Sequence, residues 1–117
     1  LKKEISEVSI VAADEAANVV AVDIDLKDFY GDPVDEIKEI ELFLVDTANA
    51  VDTATTFTIT TSGTGAVRGS ILSGRYLVES DADGHADIDI NVTATGTYYL
   101  KVVADGGIYV SDSITLS

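Results

Sequence analysis

The residues best equipped for chemistry crowd the stretch D-A-D-G-H-A-D-I-D, where Asp81, Asp83, Asp87 and Asp89 stand around the sole histidine, His85. Aspartates at that spacing suggest a calcium loop, because hard cations take about six to eight oxygen ligands and D-A-D-G matches the opening of an EF-hand. The rest of the loop does not follow. His85 takes the place of the third acid, and Val92 takes the place of the closing glutamate. Asp87 and Asp89 alternate with Ala86, Ile88 and Ile90, which puts them on the solvent face of a strand leaving the turn. The turn-capping preference of aspartate accounts for Asp81 and Asp83 without a metal. A single histidine builds neither a histidine metal triad nor a relay, and a nucleophilic serine would need it as base from a hairpin tip. A glycosidase pair needs a cleft holding two carboxylates about 5 Å or about 6.5–9.5 Å apart, which a small sandwich with acids on its strand exteriors rarely builds. The expectation is a non-enzymatic protein with no catalytic residue, no metal ligand and no cofactor.

Contact chemistry is better represented. Exposed aromatic rings stack on sugars or enter a partner's pocket. Tyr76 and Tyr98 fall among inward-facing residues, so they are expected in the core with hydroxyls at the rim, and a tyrosine near the start of a late strand can bond back to the backbone. Tyr99 and Tyr109 fall on the opposite faces and are the expected partner-contact residues. Asn91-Val92-Thr93 has the form of a glycosylation acceptor.

Short strands must position these side chains. Glu7 to Ala12 is a first strand with Val8 and Ile10 on one face, and D-E-A-A-N turns into a second. There Val20, Val22, Ile24 and Leu26 alternate with Ala21, Asp23, Asp25 and Lys27. Gly31 and Pro33 mark a turn, and Glu39 to Val45 resumes extension with Ile40, Leu42 and Leu44 inward. Ile37, Ile40, Glu41 and Leu44 also match helical spacing from residue 34 onward, but the surrounding pattern favours strand. Asp46 to Gly74, rich in Thr, Ala, Gly and Ser, reads as a loop-rich excursion with one or two short edge strands, T-F-T-I-T at Thr56 to Thr60 among them.

Beyond it, Tyr76 to Glu79 is a strand, Gly84 supplies a positive φ to the turn at Asp81 to Gly84, and Ala86, Ile88, Ile90 and Val92 form the next inward set. Tyr98, Leu100 and Val102 follow, D-G-G at Asp105 to Gly107 turns the chain, and Ile108, Val110, Ile114 and Leu116 close it, with Asp112 marking an edge. Such short strands, spaced about ten residues apart with almost no helical period, describe an all-β, immunoglobulin-like Greek-key sandwich of about seven to nine antiparallel strands.

The 117 residues suit one domain, residues 1–117, with 1–6 a candidate extended N-terminal arm able to donate a strand to a neighbour. Without cysteine there is neither a disulfide nor a thiolate metal site. No apolar run reaches the roughly 18 residues of a membrane span, and L-K-K-E-I-S-E lacks the apolar core of a signal peptide. The 21 Asp and Glu against 7 Lys and Arg give a formal charge of −14. A surface this acidic repels nucleic acid and anionic membranes, and suits a solvated exterior in a saline setting.

Y-L-V-E-S-D-A-D-G-H-A-D-I-D-I at Tyr76 to Ile90, T-Y-Y-L-K-V-V at Thr97 to Val103 and I-Y-V-S-D-S-I-T at Ile108 to Thr115 resemble bacterial and phage Ig-like domains. A-V-D-I-D-L-K-D-F-Y-G-D-P-V at Ala21 to Val34 is similar to the opening strand and turn of those appended to tailed-phage virion proteins. The resemblance covers most of the chain and is weakest between Asp46 and Gly74. It implies a virion structural or accessory protein, such as a capsid decoration, head-fibre or tail component. Its implied partners are other virion proteins, with copies of itself on the particle. The alternative is a cell-surface adhesion or carbohydrate-binding module.

Overall fold

In the computed structural model, which describes residues 4–46, 57–61, 65–72, 75–92 and 95–116, the alternation of V-V-A-V-D-I-D-L-K becomes strand β2 (Val19–Lys27). Its Val20, Val22, Ile24 and Leu26 are buried. β2 lies between β1 (Glu7–Ala12) and β7 (His85–Asn91), and β4 (Thr58–Thr61) completes a four-stranded sheet in the order β1-β2-β7-β4. The second sheet centres on β3 (Glu39–Val45) and β8 (Gly96–Ala104), with β6 (Arg75–Glu79) and then β5 (Ala66–Leu72) beyond β3. β9 (Gly107–Val110) and β10 (Ile114–Leu116) both pair with β8. All pairings are antiparallel.

The inward sets of both sheets, including Val22, Ile24, Ile88 and Ile90 from one and Ile40, Leu42, Leu100 and Val102 from the other, join a single apolar core. Each such side chain contributes about 1.5–3 kcal/mol on burial, so the facing of the strands settles the register of the sheets. The result is an all-β, sandwich-like arrangement. The sheets also approach each other at their margins, β1 beside β9 and β4 beside β5.

The chain enters and leaves at opposite ends. Ile5 is buried in the core, its N–H donating to Asp105 Oδ2 at 2.8 Å, and the Ser6 N–H donates to the Lys27 carbonyl at 2.8 Å. Buried Lys38 lies 3.9 Å from the same Asp105 carboxylate and 3.5 Å from Glu36. Of the expected arm, then, residues 4–6 are held by the chain's own body, and residues 1–3 lie outside the described residues. Leu116, in contrast, pairs with Gly96, at the far end of β8 from Ala104 and Asp105.

Residues 34–38 form no helix, in keeping with the strand pattern around them: Val34 and Lys38 are buried while Ile37 is exposed. The T/A/G/S-rich stretch supplies the expected edge strands, β4 at one edge of the first sheet and β5 at one edge of the second, although β5 is seven residues long and carries two register shifts against β6. One expectation is corrected, by a reversal of β9. Asp105 and Gly106 have φ of 47° and 80°, a two-residue primed turn that sets Ala104 opposite Gly107 and Val102 opposite Tyr109. Reading D-G-G as the turn shifts the strand by one residue, and one residue exchanges its faces. Tyr109 therefore packs on the core while Ile108 and Val110 are 56% and 40% exposed. The strand then breaks at buried Ser111, whose Oγ accepts from the Leu100 N–H at 2.9 Å and whose N–H donates to the Leu100 carbonyl at 2.9 Å. One edge line thus becomes two strands, making ten among the described residues.

Candidate functional site

Two loops at the end of the molecule where β2 finishes and β7 begins are built alike. In D-F-Y-G-D, Asp28 Oδ1 accepts from the N–H groups of Tyr30 and Asp32 at 2.9 and 3.0 Å. The Asp28 carbonyl accepts from Gly31 at 3.0 Å, and its N–H donates to the Asp32 carbonyl at 2.9 Å. In D-A-D-G-H, Asp81 Oδ1 accepts from Asp83 and His85 at 2.9 and 3.0 Å, its carbonyl accepts from Gly84 at 3.1 Å, and its N–H donates to His85 at 2.9 Å. Gly31 and Gly84 have φ of 81° and 73°. The shared rule is Asp-x-x-Gly-x: a side-chain oxygen organises the turn and glycine takes the left-handed position. The capping expected of Asp81 is present, and Asp83 is exposed and supplies only its N–H.

What differs is the display. The tip positions hold exposed Ala82 and Asp83 in one turn, Phe29 and Tyr30 in the other. Those two rings are 83% and 84% exposed and meet edge to face, centroids 5.6 Å apart at 89°. Large aromatics are ordinarily used to bury area, and the sister turn shows that this geometry requires neither ring. At the foot of the tip, where Lys27 bridges to Pro33, a recess of about 360 Å³ is lined by Asp25, Leu26, Lys27, Pro33, Asp83 and His85.

A charged row lies on the outer face of the first sheet. The β2–β7 register puts Asp23 opposite Asp87 and Asp25 opposite His85. His85 Nε2 is 3.0 Å from Asp87 Oδ1 and 3.8 Å from Asp25 Oδ1. The nearer contact has ion-pair distance but not hydrogen-bond alignment, so among the described residues Asp87 Oδ1 is a buried oxygen without an aligned donor. Among the described residues, Asp23, His85 and Asp87 are the one group with metal-holding spacing, their ligand atoms within 4.8 Å of one another. The four aspartates Asp81, Asp83, Asp87 and Asp89 form no such group. A side-chain hydrogen bond with Asp87, then burial and repulsion from Asp87, raise the Asp23 carboxyl above its ordinary 3.8, while His85 acts in the opposite direction.

A carboxyl whose pKa is raised on folding destabilises the fold once it ionises. The penalty is absent below the unfolded value and complete above the raised one. Asp23→Asn is therefore expected to stabilise the protein at pH 7 by about 0.5 kcal/mol, the scale of an exposed cross-strand pair, and to have no effect near pH 3. Thermal melts of the variant and the wild type at the two pH values check it.

The other anticipated residues scatter. Tyr98 is buried with its hydroxyl donating to the Thr95 carbonyl at 3.2 Å, and Tyr76 packs on Phe57 and donates to the Phe57 carbonyl. Tyr99 is half-buried on the outer face of the second sheet, opposite Val45. Tyr109 is half-buried toward the core, so the two expected contact tyrosines share no surface. Asn91 is exposed at the end of β7, and Thr93 lies outside the described residues. Phe29 and Tyr30 were not singled out by sequence reasoning; the available signal was the repeat of Asp-x-x-Gly with aromatics at both solvent-facing positions. Compared with family models and with curated proteins, the chain matches none.

Proposed function

We propose that this is a non-enzymatic, immunoglobulin-like module that works by protein–protein contact, as a capsid decoration, head-fibre or tail component of a tailed-phage virion. The observation carrying the contact reading is the pair Phe29 and Tyr30, held in solvent by a turn that has no structural use for them. The virion assignment rests on the resemblance of Ala21–Val34, Tyr76–Ile90, Thr97–Val103 and Ile108–Thr115 to phage Ig-like domains. The strand orders β1-β2-β7-β4 and β10-β8-β3 run parallel to the ABED and GFC sheets of that fold. β4, β5 and β6 depart from it: the strand beside β7 precedes in sequence the pair that extends the β3 edge.

The adhesion alternative draws on the same rings. Rings at 89° offer no coplanar platform to a sugar chain, which favours insertion into a protein pocket. Light scattering across a salt series and a glycan array test the reading together. Assembly into multimers as salt screens the −14 charge, with no glycan retained through the rings, is expected. A strict monomer that binds an oligosaccharide through Phe29 and Tyr30 would establish the adhesion alternative instead.

A further inference from the structure

Resting on the protein-contact reading above, we infer that the partner presents a basic segment: an apolar pocket receives Phe29 and Tyr30 while a lysine or arginine enters the recess at the foot of the tip. The recess has the two components such a side chain needs. Exposed Pro33 offers an apolar wall to an aliphatic stem, and Asp25 and Asp83 supply carboxylates for the cationic head. Among the described residues, Lys27 is the one fixed cation in that lining. Asp28 and Asp32 stand on either side of the rings, and exposed Asp35 follows within the same connection, so the tip projects from an anionic collar. Charge also decides against other occupants. A second copy docking here would set Asp25, Asp28, Asp32 and Asp83 against their own counterparts, and an anionic membrane would meet the same repulsion.

Tip and recess act as one unit. The Asp28 turn starts at Lys27 and closes at Pro33, both of which line the recess, and Asp83 comes from the sister turn. The Leu26 N–H donates to the Gly84 carbonyl at 2.8 Å and the Val34 N–H to the Leu26 carbonyl at 2.9 Å, fixing the two turns to each other. A partner would thus meet turns whose backbones are already ordered, leaving only side chains to be fixed on binding.

The full chain is used as bait for a displayed library of random dodecapeptides, and selected peptides are remeasured by calorimetry at low and moderate salt. Peptides pairing arginine or lysine with aliphatic residues are expected. Their affinity should fall at least about tenfold on the Phe29→Ser, Tyr30→Ser double variant. Asp25→Asn with Asp83→Asn should weaken binding by about tenfold and flatten its salt dependence. Asp14→Asn, an exposed acid beyond the opposite end of β2, should change neither. The ring variant keeps its turn because Ala82 and Asp83 occupy the same positions in the sister loop, and an unchanged melting temperature verifies this. Absence of selected peptides, or selection indifferent to the rings, overturns the inference. Acidic or uncharged peptides selected through the rings overturn the basic partner but leave the contact reading in place. Ring-dependent capture of an oligosaccharide without any peptide overturns both.

Discussion

Gly84→Ala is expected to destabilise the protein by about 3 kcal/mol or more, lowering the melting temperature on the order of 10–20 °C. A Cβ built on Gly84 would lie 2.4 Å from the Val34 carbonyl oxygen and 3.2 Å from that of Leu26, at a φ of +73°. Both are backbone atoms, so no side chain can swing away, and relief requires separating the two turns. Gly31→Ala is the matched control. It shares the turn and has a φ of +81°, yet a Cβ there meets nothing within 4 Å. Its cost should be only the left-handed strain, about 1–2 kcal/mol. Urea melts of both variants measure the difference. Equal losses would mean that the Val34 contact relaxes freely, and that the foot of the aromatic tip is not rigid. Gly84→Ala should also weaken partner binding, since it loosens Leu26 and Val34 on either side of the Phe29–Tyr30 turn.

Ile24→Ala should be comparably damaging through a different cause. Ile24 is fully buried in β2, an interior strand of its sheet, opposite Ile10 on β1 and Ala86 on β7. Ala86 is too small to close the gap, so the loss combines transfer free energy with a residual cavity, about 3–4 kcal/mol. Val11→Ala, on the same sheet but 60% exposed, should stay within about 0.5 kcal/mol. Denaturant titration separates the two cases: a loss below about 1 kcal/mol at Ile24 would contradict the shared core.

Only some of this structure is legible in the chain. β2 and β7 were readable because their alternation is strict and a single face of each is apolar. β9 was not, because its facing hangs on whether Gly107 belongs to the turn, and only the positive φ of Asp105 and Gly106 decides that. β5 lacks any apolar period; its pairing with β6 is imposed by the partner strand and interrupted by two shifts. The opposition of Asp23 and Asp87 was hidden for a related reason: each residue reads as ordinary solvent-facing acid until the register between strands far apart in sequence is known. The aromatic tip was visible as letters but not as exposure. In D-F-Y-G-D, local chemistry predicts the turn, while the exposure of its two rings is set by how the whole chain folds around it.

The placement of the chain's entry and exit has a mechanical consequence. Ile5 is anchored beside Asp105, at one end of β8, and Leu116 pairs with Gly96 at the other. Tension applied between these points runs along the strands, loading the β1–β2 and β8–β10 hydrogen bonds side by side in shear instead of peeling them singly. Stretched between these points, the sandwich behaves as a strut, stiff along its length, with the aromatic tip at the Ile5 end.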